Sequence, residues 1–144
     1  MDSRALVGVD IVHDLEDFPW PLADQSVVTV RAHHVLEHVL PRKFIGVMDE
    51  MHRVLVLGGE AWISTPYGLS HGFVQDPTHT KPVNEDTFAY FTPTARVGVL
   101  SGLYAIYRPR PWAWVSCAYE PNANLDVVLR TIDPADVPKE LRAE

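Results

Sequence analysis

Cysteine is almost missing from this chain. Cys117 stands alone among 144 residues, which excludes an intrachain disulfide and any multi-cysteine zinc site. Its expected place is inside a strand, as a small buried hydrophobe rather than a reactive thiol. Long apolar runs are lacking too: none approaches the length that crosses a bilayer, and the opening Met-Asp-Ser-Arg has neither the basic nor the apolar region of a secretory signal. A cytoplasmic protein is expected. Positive charge is scarce, with 12 Lys and Arg against 19 Asp and Glu and a net charge of −7, which opposes a broad phosphate-binding surface. Nucleic acid is therefore not favoured as a partner, and no repeat or low-complexity segment appears. What remains is an ordinary globular composition, 47% hydrophobic and 22% charged, that fits one compact domain over residues 1–132 and a polar tail over 133–144.

Residues 5–12 are rich in valine and isoleucine, and a short apolar run without polar alternation suits a strand buried on both faces. Residues 18–26, with Pro19, Pro21 and Asp24, carry turn chemistry and predict a loop. Residues 27–30 predict a second short strand. Pro41 suits the first turn of a helix, and Phe44, Met48, Met51 and Leu55 follow at spacings of four, three and four, one apolar stripe on a helix over 44–57. Gly58 and Gly59 would stop that helix, and 60–65 read as a strand. Residues 66–82 form a polar loop of a length that is often functional. Asn84 or Glu85 starts a short helix carrying Phe88, Tyr90 and Phe91. Strands are expected over 103–107, 112–119 and 125–131, the last two joined as a hairpin through 120–124. Alternating strands and helices before a C-terminal antiparallel pair argue for an α/β domain with a mixed sheet.

Four pieces stand out in order: Val-His-Asp-Leu at 12–15, Phe-Pro-Trp-Pro-Leu-Ala-Asp-Gln-Ser-Val at 18–27, His-Val-Leu-Glu-His-Val at 34–39 and Glu-Met-His-Arg-Val-Leu-Val-Leu-Gly-Gly at 50–59. Together they resemble the second half of a class I S-adenosylmethionine-dependent methyltransferase domain. That family's signature Glu, two residues, Arg-Val-Leu-Lys-Pro-Gly-Gly has Val56 and Leu57 here in place of lysine and proline. The resemblance implies a truncated Rossmann-like methyltransferase fold, a mixed sheet with a C-terminal antiparallel hairpin. It also implies S-adenosylmethionine as cofactor and methyl transfer to an unidentified acceptor. Asp14 would hydrogen-bond the adenine amino group, Leu15 would lie against the ring, and Ala32, His33 and His34 would line the methyl-donor pocket.

The same family holds the methionine end of the cofactor with a Gly-rich turn after its first strand, because only glycine lets the backbone approach so closely. This sequence contains no Gly-x-Gly-x-Gly, and Asp10 is the residue that would imitate the ribose carboxylate. The first strand is central in the family's sheet, so its absence implies bare valine-rich edges and a homodimer or partner protein that completes the sheet. A second reading is therefore a catalytically inactive methyltransferase remnant acting as a binding or regulatory module.

His34, Glu37 and His38 literally match His-x-x-Glu-His, in which two histidines one helical turn apart bind zinc and the glutamate is a general base. A zinc hydrolase is the third reading, set against a structural role for Glu37 or His38 under the sheet; no metal ligand is assigned. In the long loop, His71, Asp76 and His79 are metal-like donors or the polar residues of an ordered surface turn. In an active methyltransferase, His71 or His79 would serve as catalytic base, because imidazole titrates near neutrality. Trp20, Trp62, Trp112, Trp114, Tyr104 and Tyr107 are expected as core and interface mass. Arg108 and Arg110 read as a solvated turn between strands.

Overall fold

The computed structural model describes residues 1–94, 98–120 and 123–141. Four strands form one sheet in the order β1 (Val27–His33), β2 (Leu55–Pro66), β4 (Asn124–Thr131), β3 (Trp112–Tyr119). β1 runs parallel to β2, whereas β2 with β4 and β3 with β4 are antiparallel. The mixed sheet with its C-terminal antiparallel hairpin agrees with the sequence. Residues 121 and 122 of the hairpin connection and 142–144 of the tail lie outside the described residues.

From Glu60 to Thr65, β2 alternates between its faces. Ala61, Ile63 and Thr65 are buried, and they lie beside Leu129, Val127 and Leu125 of β4. Onto that face packs α1 (Phe44–Val54) through Phe44, Val47, Met48 and Met51. The core thus lies between one helix layer and one sheet face. On the other face stand Glu60 and Trp62, Trp62 being 47% exposed. Of the remaining large aromatics, Trp20, Trp112 and Tyr104 are buried, whereas Trp114 and Tyr107 are exposed. Among the described residues no helix is long and apolar enough to cross a membrane.

Three expected elements differ. Residues 5–12 are not a strand: Gly8 takes φ +87°, turning the chain, and Val7 is fully exposed. Only a single parallel bridge, Asp2 with Val12, forms there. The helix expected over 44–57 ends at Val54, because Leu55 is already extended and opens β2. Gly58 and Gly59 then form an irregularity inside β2, not a helix stop: pairing steps from Val27↔Leu55 to Thr29↔Glu60, Gly58 takes φ +80°, and a side chain on Gly59 would meet the Val28 and Val56 carbonyls at 2.9 Å. Finally, 103–107 belong to a helix, α4 (Gly98–Tyr107), because Leu103 to Tyr107 continue a run that reads equally well at helical period. Arg108 and Arg110 therefore follow a helix, and the Arg110 N–H donates to Asp49 Oδ1 at 2.7 Å.

Two short helices interrupt the polar segment after β2. α2 (His71–Val74) is capped by Ser70, whose hydroxyl accepts the Phe73 N–H. α3 (Glu85–Ala89) carries a capping box between Asn84 and Thr87. In the tail, the Asp133 side chain caps a 3-10 turn at Pro134–Asp136, and Val137 is buried.

Candidate functional site

β1 and β2 run parallel, so their carboxyl ends open on the same side, where open α/β sheets bind ligands. His33 is the last residue of β1 and points to the exposed face. His34 leaves the strand in the left-handed region at φ +50°, a conformation that a non-glycine residue adopts at a cost of order 1 kcal/mol. Its N–H still bonds Ser64 O at 2.9 Å, which carries the ladder one residue further before the chain turns into a 3-10 turn at Leu36–His38.

The loop expected over 18–26 brings the preceding segment alongside. Arg53 of α1 donates to the carbonyls of Trp20 and Leu22 and to both oxygens of Glu50, while Glu50 Oε2 accepts the Trp20 N–H. Upstream, Glu16 Oε1 accepts the Leu40 N–H at 2.7 Å and Lys43 Nζ donates to Glu16 O. Asp14 Oδ1 accepts the Glu16 N–H at 2.9 Å in a local turn, and Leu15 O accepts from the indole of buried Trp20.

The outcome is a depression of about 450 Å³ lined by Asp14, Leu15, His33 and His34, with Glu16, Val35, His38 and the N-terminal residues 1–4 on its walls. Four of the five residues expected to touch a cofactor thus border one space, whereas Ala32 is buried and does not line it. His71 and His79 do not line it. His71 begins α2 and is exposed, whereas the His79 side chain is 6% exposed and hydrogen-bonds Phe73 O through Nδ1 at 2.9 Å. Asp10, exposed beyond the Gly8 turn, lines none of it.

The His-x-x-Glu-His match does not build the zinc arrangement it suggests. With His34 left-handed and only Leu36–His38 in a 3-10 turn, the two imidazoles do not lie one α-helical turn apart. His34 Nδ1 meets Glu37 Oε1 at 3.2 Å and Nε2 meets the Asn124 amide at 3.1 Å, while His38 Nδ1 faces Thr78 Oγ1 at 3.1 Å. Glu37 is fully buried, accepting also from Thr65 at 3.1 Å, and its backbone carbonyl takes the Thr80 and Lys81 N–H groups. Glu37 therefore has a structural role, tying the segment after β2 to the turn after β1. Asp76, whose Oδ1 accepts both the hydroxyl and the N–H of Thr78, has its carboxyl held below the usual range by those bonds.

Two residues had no signal in the sequence. Asn124 reaches His34 across 90 positions through β4 pairing, which no local pattern shows. Lys81 faces a second cavity of about 570 Å³ beside Phe44, Asn84 and Tyr90, and burial lowers its ammonium pKa. A lone lysine before Pro82 looks like any solvated charge.

Sheet order, the parallel β1–β2 pair and the antiparallel end define the class: this is a Rossmann-like methyltransferase fold. No family model matches the chain and no curated protein matches it in sequence. Solved structures do match. One is an S-adenosylmethionine-dependent methyltransferase from Archaeoglobus fulgidus, at 16% identity and TM-score 0.56, covering 84% of this chain and 66% of that one. Another is the 1,6-didemethyltoxoflavin-N1-methyltransferase of Burkholderia thailandensis, solved with bound 1,6-didemethyltoxoflavin and S-adenosylhomocysteine, at 14% identity and TM-score 0.55, covering 85% of this chain and 50% of that one. A third, a methyltransferase from Haloferax volcanii in complex with a methyltransferase activator, has 10% identity and TM-score 0.60, covering 85% and 61%. The chain therefore spans between half and about two thirds of the length of these solved proteins.

Proposed function

We propose that this chain is a methyltransferase-like module that holds the adenosine end of S-adenosylmethionine in the depression at the end of β1. The observation that supports this reading is the convergence of Asp14 and Leu15 with His33 and His34 around one space. Asp14 is exposed at its rim with a carboxylate suited to an exocyclic amino group, and Leu15 offers apolar surface for a base. The fit stops there. The wall of Met1 to Arg4 is no glycine cradle, and the eight glycines of the chain include no Gly-x-Gly-x-Gly. Groups for the methionine end would come from outside these 144 residues. No methyl-transfer step is assigned to the chain alone; within a completed pocket, His71 or His79 of the segment after β2 is the candidate base for an unidentified acceptor. The cytoplasmic setting expected from the sequence belongs with this proposal.

Calorimetry with S-adenosylmethionine and S-adenosylhomocysteine tests the site. The expected result is micromolar to millimolar binding that weakens at least about tenfold in Asp14→Ala, the effect of losing one charge-assisted hydrogen bond of about 1.5–3 kcal/mol. Absence of heat at millimolar ligand would overturn it in favour of a binding or regulatory module without cofactor.

The partner follows from the sheet. Among the described residues the outer side of β1 has no strand beside it, Val28 is 71% exposed, and apolar Leu6, Val7 and Val12 are exposed upstream. An unpaired valine-rich edge is a template for another chain. The proposed occupant is a second copy or a partner protein that completes the sheet, and light scattering of the isolated chain at micromolar concentration should give a mass above that of a monomer. A monodisperse monomer removes the homodimer.

A further inference from the structure

We infer that Glu37, His38 and His79 form a binding site for a divalent first-row transition metal ion, zinc foremost. One donor atom from each of the three lies within 4.8 Å of the other two, and the rings of His38 and His79 are 4.8 Å apart. Nitrogen and oxygen ligands bind such ions at about 2.0–2.2 Å, so side-chain rotations of roughly an ångström close the set. His38 and Glu37 come from the turn after β1 and His79 from the segment after β2, two parts of the chain already joined at the Glu37 carbonyl.

Hydrogen bonding presets both imidazoles. Phe73 O can only accept, so His79 Nδ1 donates there, and in the neutral ring Nε2 is the nitrogen with the lone pair. Thr78 donates its single hydroxyl proton to Asp76 Oδ1 at 2.7 Å, so it too must accept from His38 Nδ1. Each ring is thereby held in the tautomer that presents Nε2, with an oriented acceptor behind it, as metal-binding histidines are. His79 Nε2 stands 3.7 Å from Asp76 Oδ2, too far for a hydrogen bond of its own.

Glu37 supplies the charge. It is fully buried, and among the described residues its only ion-pair partner is His34. That imidazole faces Glu37 through Nδ1 and the Asn124 amide through Nε2. A buried carboxylate without a cation is costly, and a divalent ion beside it removes that cost. Each Glu37 oxygen accepts one hydrogen bond, leaving a lone pair for a metal. His38 is exposed, so water can complete the coordination sphere. This set is not His-x-x-Glu-His: His34 is no ligand here, Glu37 is a ligand rather than a base, and the third donor comes from 41 residues beyond His38.

The whole chain, freed of metal by a chelator, is titrated with cobalt(II) and, by calorimetry, with zinc(II). The expected result is visible cobalt absorption saturating at one equivalent, displaced by zinc, and a zinc affinity in the micromolar range or tighter. His38→Gln and His79→Gln should each weaken zinc at least about tenfold, while His13→Gln keeps it. Zinc at about a hundredfold over its dissociation constant should raise the melting temperature by about 5–10 °C. If the glutamine variants fail to fold, Thr78→Val, which removes the acceptor behind His38 but no metal donor, should still weaken zinc about tenfold. No cobalt absorption, or equal zinc affinity in folded His38→Gln and His79→Gln, overturns the site. No nucleoside ligand is used, so the result is independent of the cofactor proposal, and an ion bound at His79 leaves His71 as the candidate base.

Discussion

Trp112→Ala should lower the unfolding free energy by about 3–5 kcal/mol, in the range of large-to-small changes at fully buried aromatic positions. Trp112 has no exposed surface, its ring meets His52 edge-on at 5.2 Å, and its backbone N–H bonds Phe91 O at 2.9 Å. It opens the edge strand β3 where α1 and the segment before α4 meet. His52, in turn, bonds Pro111 O through Nε2 at 2.9 Å, and burial lowers its pKa, so the pair fills one apolar corner with a neutral imidazole. Alanine would leave a cavity bordered by that ring. Trp112→Phe is a sharper test. Among the described residues the indole Nε1 has no hydrogen-bond partner, so phenylalanine loses volume but also removes an unsatisfied donor, and its cost should be less than half that of alanine. Urea denaturation of the three proteins decides: equal losses for the two substitutions would mean that Nε1 does find a partner.

Arg53→Met is expected to cost about 2–4 kcal/mol, because it strands several acceptors at once. The guanidinium reaches Glu50 with two bonds of 2.8 Å, Asp24 at 2.6 Å, and the carbonyls of Leu22 and Trp20 at 2.9 and 3.1 Å. Only the planar fork can serve these directions together, so Arg53→Lys should recover less than half of the loss. Asp24 is largely exposed and adds little; the two carbonyls and Glu50 carry the effect. Hydrogen exchange at the Trp20 and Leu22 amides should accelerate in step with the lost stability. A change below about 1 kcal/mol would show that the segment before β1 is held by packing of Trp20 and Leu22 alone.

This clamp explains why the fold was legible in the sequence. Glu50 and Arg53 are three apart on α1, and the Pro-rich segment they grip has turn chemistry, so the two motifs are the two halves of one contact. The stripe of Phe44, Met48 and Met51 reads at helical period because all three face the sheet. Legibility failed where a local pattern serves two geometries. Leu103 to Tyr107 alternate no better as strand than as helix, and the structure makes them α4. Residues 5–12 look like a buried strand, yet without a neighbouring strand among the described residues they turn at Gly8. At the candidate site, Asp14, Leu15, His33 and His34 were found as one cluster because they sit in motifs. His38 with His79 was not, since a link across 41 residues depends on how the loop after β2 folds back.

The order of the sheet also sets an order in time. β4 is the last strand in sequence, yet it lies between β2 and β3 and is the only described strand that β3 pairs with. While the chain is being made, β1, α1 and β2 can assemble from nearby contacts, but β3 must wait as an unpaired apolar ribbon until Thr131 has emerged. The β2–β4 contacts that close the sheet, such as Ala61 with Leu129, span nearly seventy residues, a separation that slows folding and prolongs exposure of Trp112 and Trp114 to other chains. Nascent chains halted before β4 should therefore be the species that chaperones hold longest.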